Sequence, residues 1–271
     1  LCDLSDENDR AVRISRDEHD TPGQLRLKTY RQGGLIPLSD VVPVLENFGF
    51  RVLEEFPTRL SGGHGYIHDF RVEVAAEADV AAILARSVEI ENAIANVLRG
   101  TAEDDEFNQL VLYAGLDTQP VIWMRAWFRY ARQTGSSFGL VTIVDALRRA
   151  PAATRALIGL FVAAHDPAAR DRERRIAEYQ DQLERSLAKV RSIDDDRILR
   201  RIRSLIEAIV RTNAFAPAAE EALAFKLNSS LVPGLPRPVP WREIWIYSPR
   251  VEAIHLRGGP IARGGLRWSD R

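Results

Sequence analysis

Apolar and polar positions follow two different periods along this chain, and the change of period divides it. Leu25, Leu27 and Thr29 recur at every second residue in LRLKTYR, as a half-buried strand requires. Ser39 stands as an N-cap before SDVVPVLENFG, with Pro43 early and Gly49 just past the end, which predicts a helix. RVLEEFPTRL and YIHDFRVEVA then read as two strands joined by SGGHG, whose glycines permit a tight turn. With a second helix from Asp79, this is the order of a small βαββαβ sandwich, although no fourth strand is evident.

From there the period becomes helical. Between Ala78 and Leu98, Val80, Ile83, Leu84, Val88, Ile94 and Val97 keep broadly to 3.6 residues. Asp117 caps a helix reaching Gln133, with Pro120 in its first turn and Gly135 after its end. Leu140–Leu147 and Thr154–Ala164 form two shorter helices around Pro151. Ile176, Tyr179, Leu183, Leu187 and Val190 make the narrow apolar seam of a helical hairpin. Its partner carries Ile198, Ile202, Leu205, Ile206 and Ile209, with Asp194, Asp195 and Asp196 suited to a helix N-terminus. Pro233, Pro236, Pro238 and Pro240 then exclude a helix and predict an extended run. Leu223–Leu227, Glu243–Tyr247 and Ala253–Leu256 alternate like strands of a new, unfinished sheet.

Composition supports a buried core: 45% of the 271 residues are hydrophobic and 28% charged, which argues against disorder. With 37 Lys and Arg against 38 Asp and Glu the net charge is −1, which disfavours a general nucleic-acid or membrane-surface binder. That value hides a gradient, from −4 over residues 1–75 and −2 over 76–222 to +5 over 223–271. The single cysteine, Cys2, excludes an internal disulfide framework and a cysteine-rich zinc site. No apolar run approaches the roughly 18 residues of a membrane span. Leu1 is not a methionine and the acidic LCDLSDENDR is not a signal peptide, while the glycine-rich GGPIARGGLRWSDR shows no helix or strand to close it, so both ends read as cuts in a longer chain.

Several groups suggest chemistry. His64 and His68 flank a turn near Asp69, but i,i+4 spacing on a strand puts side chains about 13 Å apart, so they read as a turn and a strand histidine rather than metal ligands. His19, His165 and His255 show no relay partners. Trp123, Trp127, Phe128 and Tyr130 interleave with Arg125, Arg129 and Arg132; stacked bases are one reading, but a helix burying its aromatics and turning its arginines to solvent fits better. The RDRERR run at 170–175 reads as a solvated helix face. GxGxxG, GxxxxGK[ST] and GxSxG are all missing, so no complete nucleotide site or nucleophile elbow is in evidence.

HLRGGPIARGGLRWSDR carries the strongest signal. Gly258, Gly259, Gly264 and Gly265 alternate with Arg257, Arg263 and Arg267. Glycines let a backbone approach a ligand and present its N–H groups, while arginines grip carboxylates or phosphates in two-pronged fashion. An anion-binding loop and a hairpin turn with solvated arginines are both consistent with it.

This string, preceded by REIWIYSPRVEAIHL, resembles the opening of the catalytic region in the large, multidomain bacterial NAD-specific glutamate dehydrogenases. FNQLVLYAGL, IVRTNAF and LAFKLNSSLVPGLPRPVP resemble the helical region and linker of that class, and residues 25–75 one of its small ACT-type modules. The resemblance implies an α+β chain: an ACT-like βαββαβ module over 1–77, a helical domain with a helical hairpin over 78–219, and a Pro-rich linker with the first strands of an incomplete catalytic sheet over 220–271. It implies oxidative deamination of L-glutamate to 2-oxoglutarate and ammonia, with hydride passing to NAD. Arg263 stands where common glutamate dehydrogenases place a substrate-binding lysine before GG[IL]R; with Gly264, Gly265 and Arg267 it makes up the implied substrate-binding set. The family's catalytic lysine, aspartate and NAD domain are expected beyond residue 271. No catalytic, cofactor-binding or metal residue is therefore assigned, NAD belongs to the parent enzyme, and this piece alone is expected to be inactive. The implied partners are the rest of the polypeptide and further copies in a cytoplasmic homo-oligomer, without nucleic acid or membrane. The alternative is an amino-acid-sensing or oligomerising ACT-type module with an amino-acid effector.

Overall fold

The structure is a computed structural model and describes Leu4, residues 9–261 and the backbone of 264–269. The chain forms two compact units, Leu1–Val121 and Ile122–Arg271.

The first unit is a four-stranded antiparallel sheet, with β1 Ala11–Ser15, β2 Gln24–Arg31, β3 Arg51–Arg59 and β4 Tyr66–Glu73 in the order β1-β2-β4-β3. β2, helix α1 (Leu38–Asn47) and β3 form a split βαβ unit, with β4 antiparallel between the two strands. The fourth strand missing from the sequence reading is β1, which precedes the other three and pairs with β2. It escaped notice because AVRIS gives only five residues of alternation, too few to identify without a partner.

Register aligns Ile14, Leu27 and Phe70 in one buried row and Leu25 with Val72 in another. Val41, Val44 and Leu45 of α1 and Ile90, Ala93 and Ile94 of α3 (Ser87–Leu98) are buried with them. The opposite strand positions carry ion pairs instead, among them Lys28–Asp69 at 3.5 Å and Arg71–Glu54 at 3.1 Å.

Local chemistry corrects two expectations here. Ser39 is not the N-cap: α1 begins at Leu38 after Pro37, and the Ser39 hydroxyl bonds Asp40. Gly49 does end the helix, at φ 91°, where the Tyr113 hydroxyl donates to its carbonyl at 2.9 Å. The long helix expected from Ala78 is two, α2 (Val80–Ala85) and α3, broken at Arg86 (φ −112°, ψ 23°). The Arg86 guanidinium donates to the carbonyl of Val111 in α4 (Gln109–Tyr113) and to that of Leu116 just past it, and Val88 is left exposed.

The second unit combines helices with a five-stranded antiparallel sheet ordered β5-β6-β7-β8-β9: Ile209–Thr212, Leu223–Leu227, Arg242–Tyr247, Glu252–Arg257 and Gly264–Ser269. β9 corrects the reading that no strand closes the glycine-rich end, and β5 the reading that Ile209 continues a helix. Both are strands through pairing, with β8 and β6 respectively. Helix α5 (Thr118–Gln133) enters this unit at Ile122 and lays Trp127 and Tyr130 against Phe225 and Trp245 on one face of the sheet. Trp127 packs edge-on to Phe161 of α7 (Pro151–His165), centroids 5.0 Å apart, and against Phe225 of β6 at 6.3 Å. The aromatics are buried as expected, but Arg125 is too, at 2% exposure, so not all of the helix's arginines face solvent. α8 (Arg172–Leu187) and α9 (Ile193–Ala208) follow in succession; α8 packs along α7, where Gly159 leaves room for the Tyr179 ring, and α9 packs on α7 and α6 (Leu140–Arg149). Direct links between α8 and α9 include ion pairs from Glu184 to Arg200 and Arg203.

Candidate functional site

The glycine- and arginine-rich string falls on the β8–β9 hairpin. β8 ends at Arg257, the chain turns through Gly258, Gly259, Pro260 and Ile261, and β9 returns from Gly264. Register sets Arg242, Arg257 and Gly264 side by side at one end of β7, β8 and β9. Arg263 lies outside the described residues. Gly264, Gly265 and Arg267 lie on β9, paired with Arg257, Leu256 and Ile254.

Two guanidinium groups brought to one sheet end repel, and here both also lie against one indole, which offsets part of that cost. Arg242 lies 4.4 Å and Arg257 5.5 Å from the centre of the Trp241 ring. The backbone holds this arrangement, for Trp241 N–H donates to the Arg257 carbonyl at 2.7 Å. Arg242 Nη1 donates to Asn228 Oδ1 at 2.8 Å and to its own neighbour's carbonyl at Trp241, at 2.7 Å. Arg257 Nη2 donates to the Pro260 carbonyl at 2.9 Å, bridging the turn from strand end to loop. The result is a cationic sheet end whose loop geometry is held by one of its own arginines, suited to a carboxylate or phosphate. The alternation around Arg257 was legible; the part played by Trp241 and Arg242, fifteen residues earlier, appears only once β7 and β8 pair.

The hairpin rests on a polar floor that the sequence reading missed. Glu243 and Glu252, both buried, share the sheet face with Trp245 and Tyr247 and turn toward α5. The Tyr130 hydroxyl donates to Glu243, the Trp245 indole N–H donates to the Ala126 carbonyl at 3.0 Å, and Arg129 pairs with Glu252 at 3.5 Å. Burial, reinforced by the Glu243 charge, pushes the Tyr130 hydroxyl far above its ordinary range, so it stays protonated and donates. Burial also lowers the pKa of Arg201, whose Nη2 donates to the Thr134 hydroxyl at 2.9 Å. The histidine pair is divided: His64 lies in the turn, whereas His68 is buried and accepts from Ile36 N–H through Nε2 while Nδ1 meets Glu55 at 2.8 Å. No group of three or more His, Cys, Asp or Glu side chains suited to a metal occurs among the described residues.

Comparison with known proteins places these elements in order. Residues 9–83 match the family profile for the glutamate dehydrogenase ACT3 domain, 102–167 that for glutamate dehydrogenase helical motif 3, and 182–271 that for the catalytic domain of bacterial NAD-glutamate dehydrogenase. The chain matches successive parts of one kind of enzyme. Curated relatives agree along nearly its whole length. The NAD-specific glutamate dehydrogenases of Halomonas elongata and Pseudomonas aeruginosa are each 42% identical to it, over 253 and 259 residues, or 91% and 92% of the chain. That of Mycobacterium tuberculosis is 37% identical over 284 aligned positions, covering 99% of the chain. The chain spans 16% of the length of the first two relatives and 17% of the third. The cationic hairpin and its floor thus fall in the segment similar to the catalytic domain, and the four-stranded sheet in the segment similar to the ACT3 domain. No helix among the described residues is long and apolar enough to cross a membrane.

Proposed function

We propose that this chain is the portion of an NAD-dependent glutamate dehydrogenase that joins an ACT-type module to the entry of the catalytic domain. The enzyme oxidises L-glutamate with NAD and water to 2-oxoglutarate, ammonia and NADH. In this reading residues 1–77 form the ACT-like module, 78–219 the helical domain, and 220–271 the linker and first substrate-domain strands. The observation that carries it is the cationic end of β7, β8 and β9, lying within the segment similar to the catalytic domain. Arg263, Gly264, Gly265 and Arg267 contribute to holding the glutamate side-chain carboxylate, with Arg257 fixing the turn that leads to them. Hydride transfer needs cofactor and substrate in contact, and the glycine-rich dinucleotide motif is not found in these 271 residues. The chain alone is therefore expected to be inactive, and NAD to bind elsewhere in the larger enzyme. Cytoplasmic location and self-association complete the proposal, both by analogy with the family.

The test is an absorbance assay for NADH with glutamate and NAD. The isolated chain should give no signal, and Arg263→Ala in the larger enzyme should raise the KM for glutamate more than it lowers kcat. Glutamate-dependent NADH formation by the chain alone would overturn the assignment.

A second reading, an amino-acid-sensing ACT module, has one observation in its favour. A cleft of about 710 Å³ opens beside the start of α2, with Arg16, Glu73 and Asp79 among its lining residues, Glu73 also pairing with Arg51 and Asp79 capping α2. These charges complement the two ends of an amino acid. Saturable binding of an amino acid in calorimetry, abolished by Arg16→Ala and unaffected by Arg263→Ala, would favour the sensor.

A further inference from the structure

A separate cleft of about 380 Å³ lies in the second unit, between the α6–α7 turn and the α8–α9 turn. It owes nothing to the cationic hairpin. Ala150, Pro151, Ala152 and Ala153 form one wall and Val190 faces it from the other turn. This volume suits a small molecule, and an apolar lining with few polar groups is the usual make-up of a ligand pocket.

The polar groups at its rim are unequal. Arg149 makes a two-pronged bond to Asp195, Nε to Oδ2 at 2.9 Å and Nη2 to Oδ1 at 2.8 Å. This bond holds the Asp195 carboxyl below the usual carboxylate range, so the one acid lining the cleft is already neutralised by a partner. Lys189 and Arg191 also line the cleft, and among the described residues neither forms an ion pair. Exposed arginines along the neighbouring helices behave differently: Arg174, Arg185, Arg197 and Arg200 each have an acid one turn away. Two cations without partners thus stand on a two-residue-spaced turn above an apolar pocket.

We propose that this cleft binds a small amphipathic carboxylate, with its hydrocarbon body against Ala150–Ala153 and Val190 and its carboxylate held by Lys189 and Arg191. The site is independent of glutamate and NAD, and a ligand bridging the two turns would tie the α6–α7 corner to the α8–α9 corner. Because the Arg149–Asp195 bond already links the same corners, occupancy adds stability without needing a change of fold.

Hexanoate is the probe, titrated against the complete chain and followed by the rise in Tm and by methyl NMR shifts of Ala152 and Val190. Binding should be saturable and tighten about fourfold per methylene from butanoate to hexanoate. Acetate, which lacks the body, and hexanol, which lacks the charge, should give no saturable shift at the same concentrations. Reversing the rim with Lys189→Glu and Arg191→Glu, both on exposed positions, should weaken binding at least tenfold with the circular dichroism spectrum unchanged. Ala152→Phe, filling the cleft from an exposed helix position, should abolish it. Equal hexanoate binding in the wild-type and charge-reversed chains, or no saturable shift in the wild type, overturns the proposal.

Discussion

The two sheets handle buried polarity in opposite ways. In the four-stranded sheet the rows of Ile14, Leu27 and Phe70 and of Leu25 and Val72 are aliphatic or aromatic, and two of the buried polar side chains, Glu91 and His68, accept from backbone N–H groups. Glu91 of α3 accepts from Ile14 N–H at 2.8 Å, taking a donor on the outer strand β1, and His68 accepts from Ile36 N–H at 3.1 Å. The other outer strand, β3, is interrupted by an irregularity between Val52 and Glu54 and by Pro57, which has no N–H to offer. Both edges are therefore poor templates for a further strand. The five-stranded sheet instead buries carboxylates beneath the strands that lead to the candidate site, and pairs them with side chains of one helix. A buried charge held by side chains costs more to misplace than an aliphatic contact, so this floor specifies the position of α5 against β7 and β8 more narrowly than hydrophobic packing could.

The sharpest way to break the contrast is through the aromatic layer. Trp127→Ala removes one ring of a cluster with Phe161 and Phe225, and should destabilise the second unit by about 3–5 kcal/mol while the first keeps its own stability. Calorimetry resolving the two units checks it, and an equal loss in both would count against their separateness.

Tyr130→Phe keeps the ring and removes only the hydroxyl that serves Glu243. The expected cost is about 1–3 kcal/mol, because a buried carboxylate loses a donor. A change under a few tenths of a kcal/mol in urea unfolding would show that the polar floor is not a determinant. The matching experiment in the first unit is Glu91→Ala, which leaves Ile14 N–H without its side-chain acceptor and removes the ion pair of Arg13. A loss of about 1–2 kcal/mol is expected, with faster amide exchange at Ile14 and little change in the other sheet.

The smallest effect is a pH dependence. His165 has its pKa lowered from 6.5 to about 4, first by burial beside Phe161 and then by the Arg172 charge. The folded state binds this proton more weakly than the unfolded chain, so the second unit loses stability as pH falls from about 6.5 to about 4 and regains it on return. The ring is partly open to solvent, which reduces the expected swing to about 1 kcal/mol. His165→Phe should flatten the profile across that interval, whereas an unaltered slope would assign the dependence to other groups.

Much of this was legible beforehand. Alternation identified β2, β4, β6 and β7 because each buries every second residue on a sheet half open to water. The Gly–Arg string pointed to the β8–β9 hairpin because such residues have few uses other than close backbone approach and anion contact. Three features stayed hidden for one reason, which is that their stabilising partners are distant in sequence. β9 owes its strand to β8, the break at Arg86 coincides with hydrogen bonds to carbonyls twenty-five and thirty residues on, and Glu243 is met by Tyr130 from 113 residues away.

By itself, then, the sequence determined the periods, the charge gradient from −4 to +5 and the concentration of glycine and arginine near the end of the chain. These are local properties, set by backbone geometry and by how each side chain partitions between water and a core. Tertiary structure alone decided that Arg242 and Arg257 meet at the Trp241 ring, that Arg125 is buried, and that Lys189 and Arg191 flank an apolar cleft without acids of their own. Each of those facts depends on which groups meet across the fold. Electrostatic and packing energies fall off over a few ångströms of space, whatever the distance along the chain.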